Sequence, residues 1–154
     1  MANAVILVVD DFPSGRALLD TILTSLGYDV ATAENGEEAL RLVQARRPDL
    51  ILMDIEMPVL DGYTACRTLK ENPATAHIPI LMVTGLDETG DIRKALHHGA
   101  DGYIMKPINA QEVATKVPQM LELAKAGKLP GRHYLKAGGS KDIPPPPLTP
   151  PGSG

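Results

Sequence analysis

Residues 48–54 read Pro48-Asp49-Leu50-Ile51-Leu52-Met53-Asp54. Four apolar side chains in a row stand between a turn former and a lone carboxylate. Successive side chains of a strand point to opposite faces, so an unbroken apolar run marks a strand covered on both sides. The run predicts a central strand over Leu50–Met53, with Asp54 emerging at its carboxyl end.

Val5–Val9 and Ile80–Val83 are also continuously apolar. Asp29–Ala33 alternates instead, and Gly102–Met105 carries a glycine and Tyr103, so these two read as edge strands. Between the strands the period changes. Leu18, Leu19, Ile22, Leu23 and Leu26 repeat as on a helix, and so do Ile92, Ala95 and Leu96. Asn35 and Glu38 have the spacing of a capping box, as do Asn109 and Glu112. Gly27 and Gly99 stand where helices would end. Strand–helix alternation of this kind predicts an α/β fold, a parallel sheet with helices on both faces. Edges at strands two and five give the flavodoxin-like order 2-1-3-4-5.

The 154 residues suit one domain, and 44% apolar with 22% charged content is ordinary for a globular chain. Trp is absent and Phe12 is the single Phe, so the core must be aliphatic. The net charge of −4 is uneven: Lys128, Arg132, Lys136 and Lys141 against Asp142 make residues 127–154 +3, leaving −7 on residues 1–126. An acidic body argues against direct nucleic-acid binding. No apolar run reaches the roughly 20 residues of a membrane helix, and no signal-peptide pattern opens the chain. Cys66 is the lone cysteine, which excludes an internal disulfide, and its helical spacing with Tyr63 and Leu69 makes it a buried thiol. A cytoplasmic location is the expectation. The periodic pattern stops near Ala126. Residues 1–126 form the domain, and residues 127–154, rich in Pro and Gly, read as a flexible tail or linker.

Ligands of open α/β sheets bind at the carboxyl ends of the strands. There the chain places Asp10-Asp11 after strand one, Asp54 after strand three, Thr84-Gly85 after strand four and Lys106-Pro107 after strand five. Three crowded carboxylates repel one another unless a cation joins them. Oxygen-only donors suit Mg²⁺, and the absence of His or Cys argues against zinc. Lys106 adds a compact positive charge, Thr84 a hydroxyl, and the Gly85 N–H an unobstructed donor. Together they suit a phosphoryl group beside a carboxylate.

These segments, Val8-Val9-Asp10-Asp11, Asp54-Ile55-Glu56-Met57-Pro58-Val59-Leu60-Asp61-Gly62, Thr84 and Lys106-Pro107, resemble the receiver domains of bacterial two-component response regulators over about residues 4–126. Thr84 lies 30 residues after Asp54 and Lys106 lies 52 after it. The resemblance implies that Asp54 is the phosphoacceptor, taking its group from a phosphohistidine on a histidine kinase or histidine phosphotransfer protein. Asp11, Asp54 and the Glu56 carbonyl would ligate Mg²⁺, with Asp10 holding metal-bound water. Lys106, Thr84 and Gly85 would bind phosphoryl oxygens, and Thr84 with Tyr103 would form the switch. Met57-Pro58 would close one side, while Glu56 and Leu86 would tune the dephosphorylation rate. The loop Leu86–Thr89 reads as an order–disorder element. Apart from accepting and losing its own phosphoryl group, such a domain is not an enzyme. Pro118 departs from the pattern, because proline inside the last helix should kink or restart it on the face receivers use for partners or phosphorylation-dependent dimers.

Other readings are less well served. A haloacid-dehalogenase-like phosphatase would place an Asp-x-Asp nucleophile after strand one, whereas Asp10-Asp11 is adjacent. Nucleotide binding lacks a glycine fingerprint. Within the receiver reading, a single-domain shuttle and a receiver excised from a larger effector are both compatible with the sequence, and the output domain and kinase are not named by it.

Overall fold

The computed structural model describes residues 3–85 and 89–131, with the side chains of 89–92 outside the description. Five strands alternate with five helices: β1 (Val5–Val9), α1 (Pro13–Ser25), β2 (Asp29–Ala33), α2 (Gly36–Ala45), β3 (Leu50–Asp54), α3 (Gly62–Glu71), β4 (Ile80–Thr84), α4 (Thr89–His97), β5 (Gly102–Met105) and α5 (Ala110–Lys125). All pairings are parallel, in the order β2-β1-β3-β4-β5. The expected edges, β2 and β5, are the edges.

Strand alternation divides the core into two layers. Leu7, Val9, Ile51, Met53, Ile80 and Met82 pack against Ala39, Val43, Ala65, Cys66, Leu69 and Ala95 from α2, α3 and α4. Ile6, Val8, Leu50, Leu52, Leu81 and Val83 turn the other way, onto Leu19 and Leu23 of α1 and Val113, Val117 and Met120 of α5. Both faces of β3 and β4 are thus buried, which is why their sequences are uniformly apolar.

The caps behave as their chemistry requires. Asn35 accepts the Glu38 N–H at 2.8 Å, and Asn109 accepts from Gln111 and Glu112. Gly27 and Gly99 have φ of 93° and 98°, a left-handed conformation that glycine adopts without strain. The helical repeat before Gly27 forms α1, yet Leu18 and Leu26 are exposed, because the sheet meets a narrower stripe than these four leucines and one isoleucine span. Pro118 does not restart α5, which runs from Ala110 to Lys125 as one helix.

The packed body also passes the expected boundary at Ala126. Leu129 is buried, and the Gly131 N–H donates to Asp101. The rest of the proposed tail, and Leu86 with most of its loop, lie outside the described residues. No described helix is long and apolar enough to cross a membrane.

Candidate functional site

Register brings the site together. Val9 pairs with Met53, Asp54 with Val83, and Thr84 with Met105, so the strand ends form one rim. The Lys106 N–H closes this rim on the Thr84 carbonyl at 2.7 Å.

Asp10 is 3% exposed. Its Oδ1 accepts the Phe12 N–H at 2.9 Å, and its carbonyl accepts from Arg16 Nη1 at 2.7 Å. Arg16 also faces Glu34 at 3.6 Å and so ties the β1–α1 turn to the end of β2. Gly15 permits the arrangement, because a Cβ there would lie 2.2 Å from Asp10 Oδ2. The carboxylates of Asp10, Asp11 and Asp54 offer oxygens within 4.8 Å of one another. Asp11 Oδ1 is buried without a hydrogen-bond partner among the described residues. An orphaned carboxylate oxygen beside two others is costly unless a cation satisfies it, so these residues fit Mg²⁺.

Asp54 is nearly buried. Its Oδ1 accepts the Glu56 N–H at 3.2 Å, and its Oδ2 pairs with Lys106 Nζ at 3.2 Å. Burial pushes its carboxyl above the usual range; Lys106 opposes this, Asp10 adds to it, and the Glu56 N–H opposes it. Removal from water therefore outweighs the charge repulsion expected from sequence. Gly62 makes room behind Asp54, since a Cβ there would lie 2.3 Å from the Asp54 carbonyl oxygen.

A pocket of about 240 Å³ opens over Asp54, lined by Phe12, Ile55, Glu56, Thr84, Gly85 and Lys106. Thr84 is 2% exposed at the end of β4. Gly85 is exposed, and a Cβ there would meet Lys106 carbons at an ordinary 3.7 Å. A second cavity lies beside Asp11, Glu56, Met57 and Asp61. Glu56 and Pro58 are exposed and Met57 half-buried. Val59 in this loop has φ 70°, an unusual conformation for a β-branched residue.

Tyr103 is half-buried on β5. Lys116 of α5 donates to its carbonyl and places its ammonium 4.5 Å from the ring centroid, with Glu112 at 3.7 Å. Burial lowers the Lys116 pKa, against the pull of Glu112.

Sequence reasoning missed Gly15, Arg16 and Lys116. A glycine within a helical pattern is the one signal that pointed to Gly15, since it weakens a helix without a packing reason. Arg16 and Lys116 carried none, because charged residues on helices are ordinary until tertiary structure buries them.

The chain matches the family model for the response regulator receiver domain over residues 6–118. It is 45% identical over 107 residues to the response regulator PleD of Caulobacter vibrioides, covering 70% of this chain and 24% of that protein. A probable transcriptional regulator of Porphyra purpurea, ycf27, is 43% identical over 119 residues, covering 77% of this chain and 48% of that protein. The chain thus spans between a quarter and a half of these relatives' lengths. Among solved structures, the chemotaxis protein CheY4 of Vibrio cholerae superposes with a TM-score of 0.73 at 32% identity, covering 77% of this chain and 99% of that one. The receiver domain of the sensor histidine kinase PA1611 of Pseudomonas aeruginosa, solved with magnesium coordinated in its active-site cleft, gives 0.74 at 33% identity, covering 79% and 99%. With strand order, acidic cluster and family match in agreement, the chain belongs to the receiver domains of two-component response regulators.

Proposed function

We propose that this receiver accepts a phosphoryl group on Asp54 and changes its partner binding as a result. The observation that carries the reading is the geometry of Asp54: one oxygen is held by Lys106 and the other by the Glu56 N–H, at the mouth of a pocket that Thr84, Gly85 and Lys106 also line. A lone pair on one Asp54 carboxylate oxygen would attack the phosphorus of a phosphohistidine on a histidine kinase or phosphotransfer protein. The new O–P bond forms as the P–N bond breaks, and the imidazole leaves with the bonding pair and takes a proton.

Asp11, Asp54 and the Glu56 carbonyl would hold Mg²⁺, with Asp10 orienting water around it. The ion would supply charge neutralisation for the incoming phosphoryl oxygens. Lys106, 35% exposed on a flexible stem, would exchange its contact with Asp54 for one with a phosphoryl oxygen. The Thr84 hydroxyl and Gly85 N–H would take others. Tyr103 would respond to movement of Thr84, and Lys116 would set the strength of that response. Glu56 and Leu86 would govern the approach of water that ends the phosphorylated state. The haloacid-dehalogenase-like alternative is disfavoured by the acidic pair after β1, whose Asp10 is locked by the Phe12 N–H and Arg16.

The test is intact-mass measurement after treatment with acetyl phosphate and Mg²⁺. Wild type should gain one labile phosphoryl group and Asp54→Ala none. Undiminished labelling of Asp54→Ala would remove the acceptor assignment, and sustained turnover of a phosphomonoester would favour the phosphatase.

A further inference from the structure

A second buried polar group lies at the opposite end of the sheet. Lys70 of α3 and Asp101, the residue before β5, pair at 2.7 Å with both side chains 0% exposed. Lys70 also donates to the carbonyls of Ala76 at 3.2 Å and Ile78 at 2.7 Å. Asp101 Oδ2 accepts the Ile80 N–H at 2.9 Å, and Oδ1 accepts the Gly131 N–H at 2.8 Å. A buried ion pair is tolerated only where its remaining hydrogen-bonding capacity is filled. Here one of the amides that fills it comes from chain that has already left α5.

That exit segment is docked in detail. Gly127 turns with φ 69°, and the Lys128 N–H returns to the Leu123 carbonyl at 2.9 Å. Leu129 is 6% exposed. Gly131 lies so close to the α4–β5 junction that a Cβ would stand 1.8 Å from the Gly99 carbonyl oxygen. Only glycine fits this approach without a shift of backbone. Proximity to the pair also bears on Cys66, whose thiol burial pushes up to about 12.

We propose that the Lys70–Asp101 pair is a clasp coupling the exit segment 128–131 to β5, so that release of the clasp and phosphorylation of Asp54 favour one another. The coupling rests on the receiver reading above; the docking does not. Asp101 leads directly into a four-residue strand that carries Tyr103 and delivers Lys106. In the conformation described, Lys106 pairs directly with the Asp54 carboxylate, the contact that a phosphoryl group would displace. Movement of Lys106 and Tyr103 therefore pulls on a strand whose other end is held by the clasp. The Gly131 amide is the partner supplied by the chain's exit segment rather than by the sheet, and it is the bond that yields first. Binding coupling is reciprocal, so loosening the clasp must favour the phosphorylated conformation to the degree that phosphorylation loosens the clasp.

The experiment uses the full 154-residue chain and its variants Gly131→Ala and Leu129→Ser. Amide exchange at residues 128–131 is followed by NMR, with and without Mg²⁺ and beryllofluoride as a stable phosphoryl mimic. In wild type without the mimic the Gly131 amide should be protected, and either variant should exchange it roughly tenfold faster, as expected for loss of one charge-assisted hydrogen bond. The mimic should accelerate wild-type exchange, and both variants should label with acetyl phosphate faster, by about fivefold. Leu129→Ser keeps the test decisive if Gly131→Ala fails to fold. An unprotected Gly131 amide in wild type overturns the clasp. Protection that the mimic leaves unchanged or increases, in protein shown by mass to accept phosphate, overturns the coupling alone. Absence of any label overturns the receiver reading and the coupling together, leaving the docking to be judged by the exchange in untreated protein.

Discussion

Replacing Asp54 by Asn should stabilise the protein in metal-free buffer, even though it removes the proposed acceptor. The carboxylates of Asp10, Asp11 and Asp54 lie within 4.8 Å of one another. At an effective dielectric near 20, a neighbouring unit charge at that distance repels the Asp54 charge by about 3.5 kcal/mol, and Lys106 at 3.2 Å returns about 5 kcal/mol by the same arithmetic. Lys106 is 35% exposed, so solvent screens that return. Burial of the Asp54 carboxylate, the largest influence on it, tips the balance to a residual strain of about 1–2 kcal/mol. Asn keeps the shape and can still accept from the Glu56 N–H, so the expected gain appears as a Tm higher by about 5 °C. Mg²⁺ should relieve the same strain in wild type, adding about 1.4 kcal/mol at ten times its Kd, and should do less for the variant. The pH dependence follows from the raised Asp54 pKa. Between its unfolded and folded pKa values the folded state holds more protons, so this group's contribution improves as pH falls through that window and worsens as pH rises. Asp54→Asn should lack this component. Differential scanning calorimetry of both proteins, with and without Mg²⁺ and across mildly acidic pH, measures all three effects. A lower Tm for Asp54→Asn in metal-free buffer would refute the reasoning, because Lys106 would then already over-compensate the cluster.

Three further outcomes are expected. Gly15→Ala should leave stability within about 1 kcal/mol, since better helix propensity offsets the clash, yet should displace Asp10 and shrink the Mg²⁺-dependent rise in Tm; an undiminished rise would show that Asp10 is not held by this approach. Lys116→Met strips the Tyr103 carbonyl of its side-chain donor and should cost about 1–3 kcal/mol in urea unfolding, with Lys116→Arg recovering part of it; equal stability of Met and wild type would show that the contact adds nothing. Val59→Gly relieves a φ of 70° and should raise stability by about 0.5–1 kcal/mol after the entropy of the freer unfolded chain is counted; a loss would mean that the exposed valine packs in a way its geometry does not reveal.

The sheet was legible because its residues report their own environment. A strand covered on both faces must be apolar throughout, so Leu50–Met53 and Ile80–Val83 announced central positions, and the mixed Asp29–Ala33 announced an edge. Asp10, Asp11, Asp54, Thr84 and Lys106 were legible for a related reason: parallel topology delivers every strand's carboxyl end to one rim, so residues far apart in sequence meet once the strands are placed. Helix faces were less so. Leu18 and Leu26 fit the period of α1 and still face solvent, because how wide a stripe is covered depends on what packs there.

What tertiary structure alone decided concerns charge and close approach. Lys70, Asp101 and Lys116 look like ordinary solvated residues in sequence, and only the fold removes them from water and supplies the carbonyls and amides that make burial tolerable. Gly131 looked like part of a glycine-rich tail until the Gly99 carbonyl was found where its side chain would be. Local sequence carries propensity and periodicity, and from these it determined the strands, their order and the chemistry of the rim. The partner of a buried charge is set by a contact across tens of residues, which no local pattern encodes.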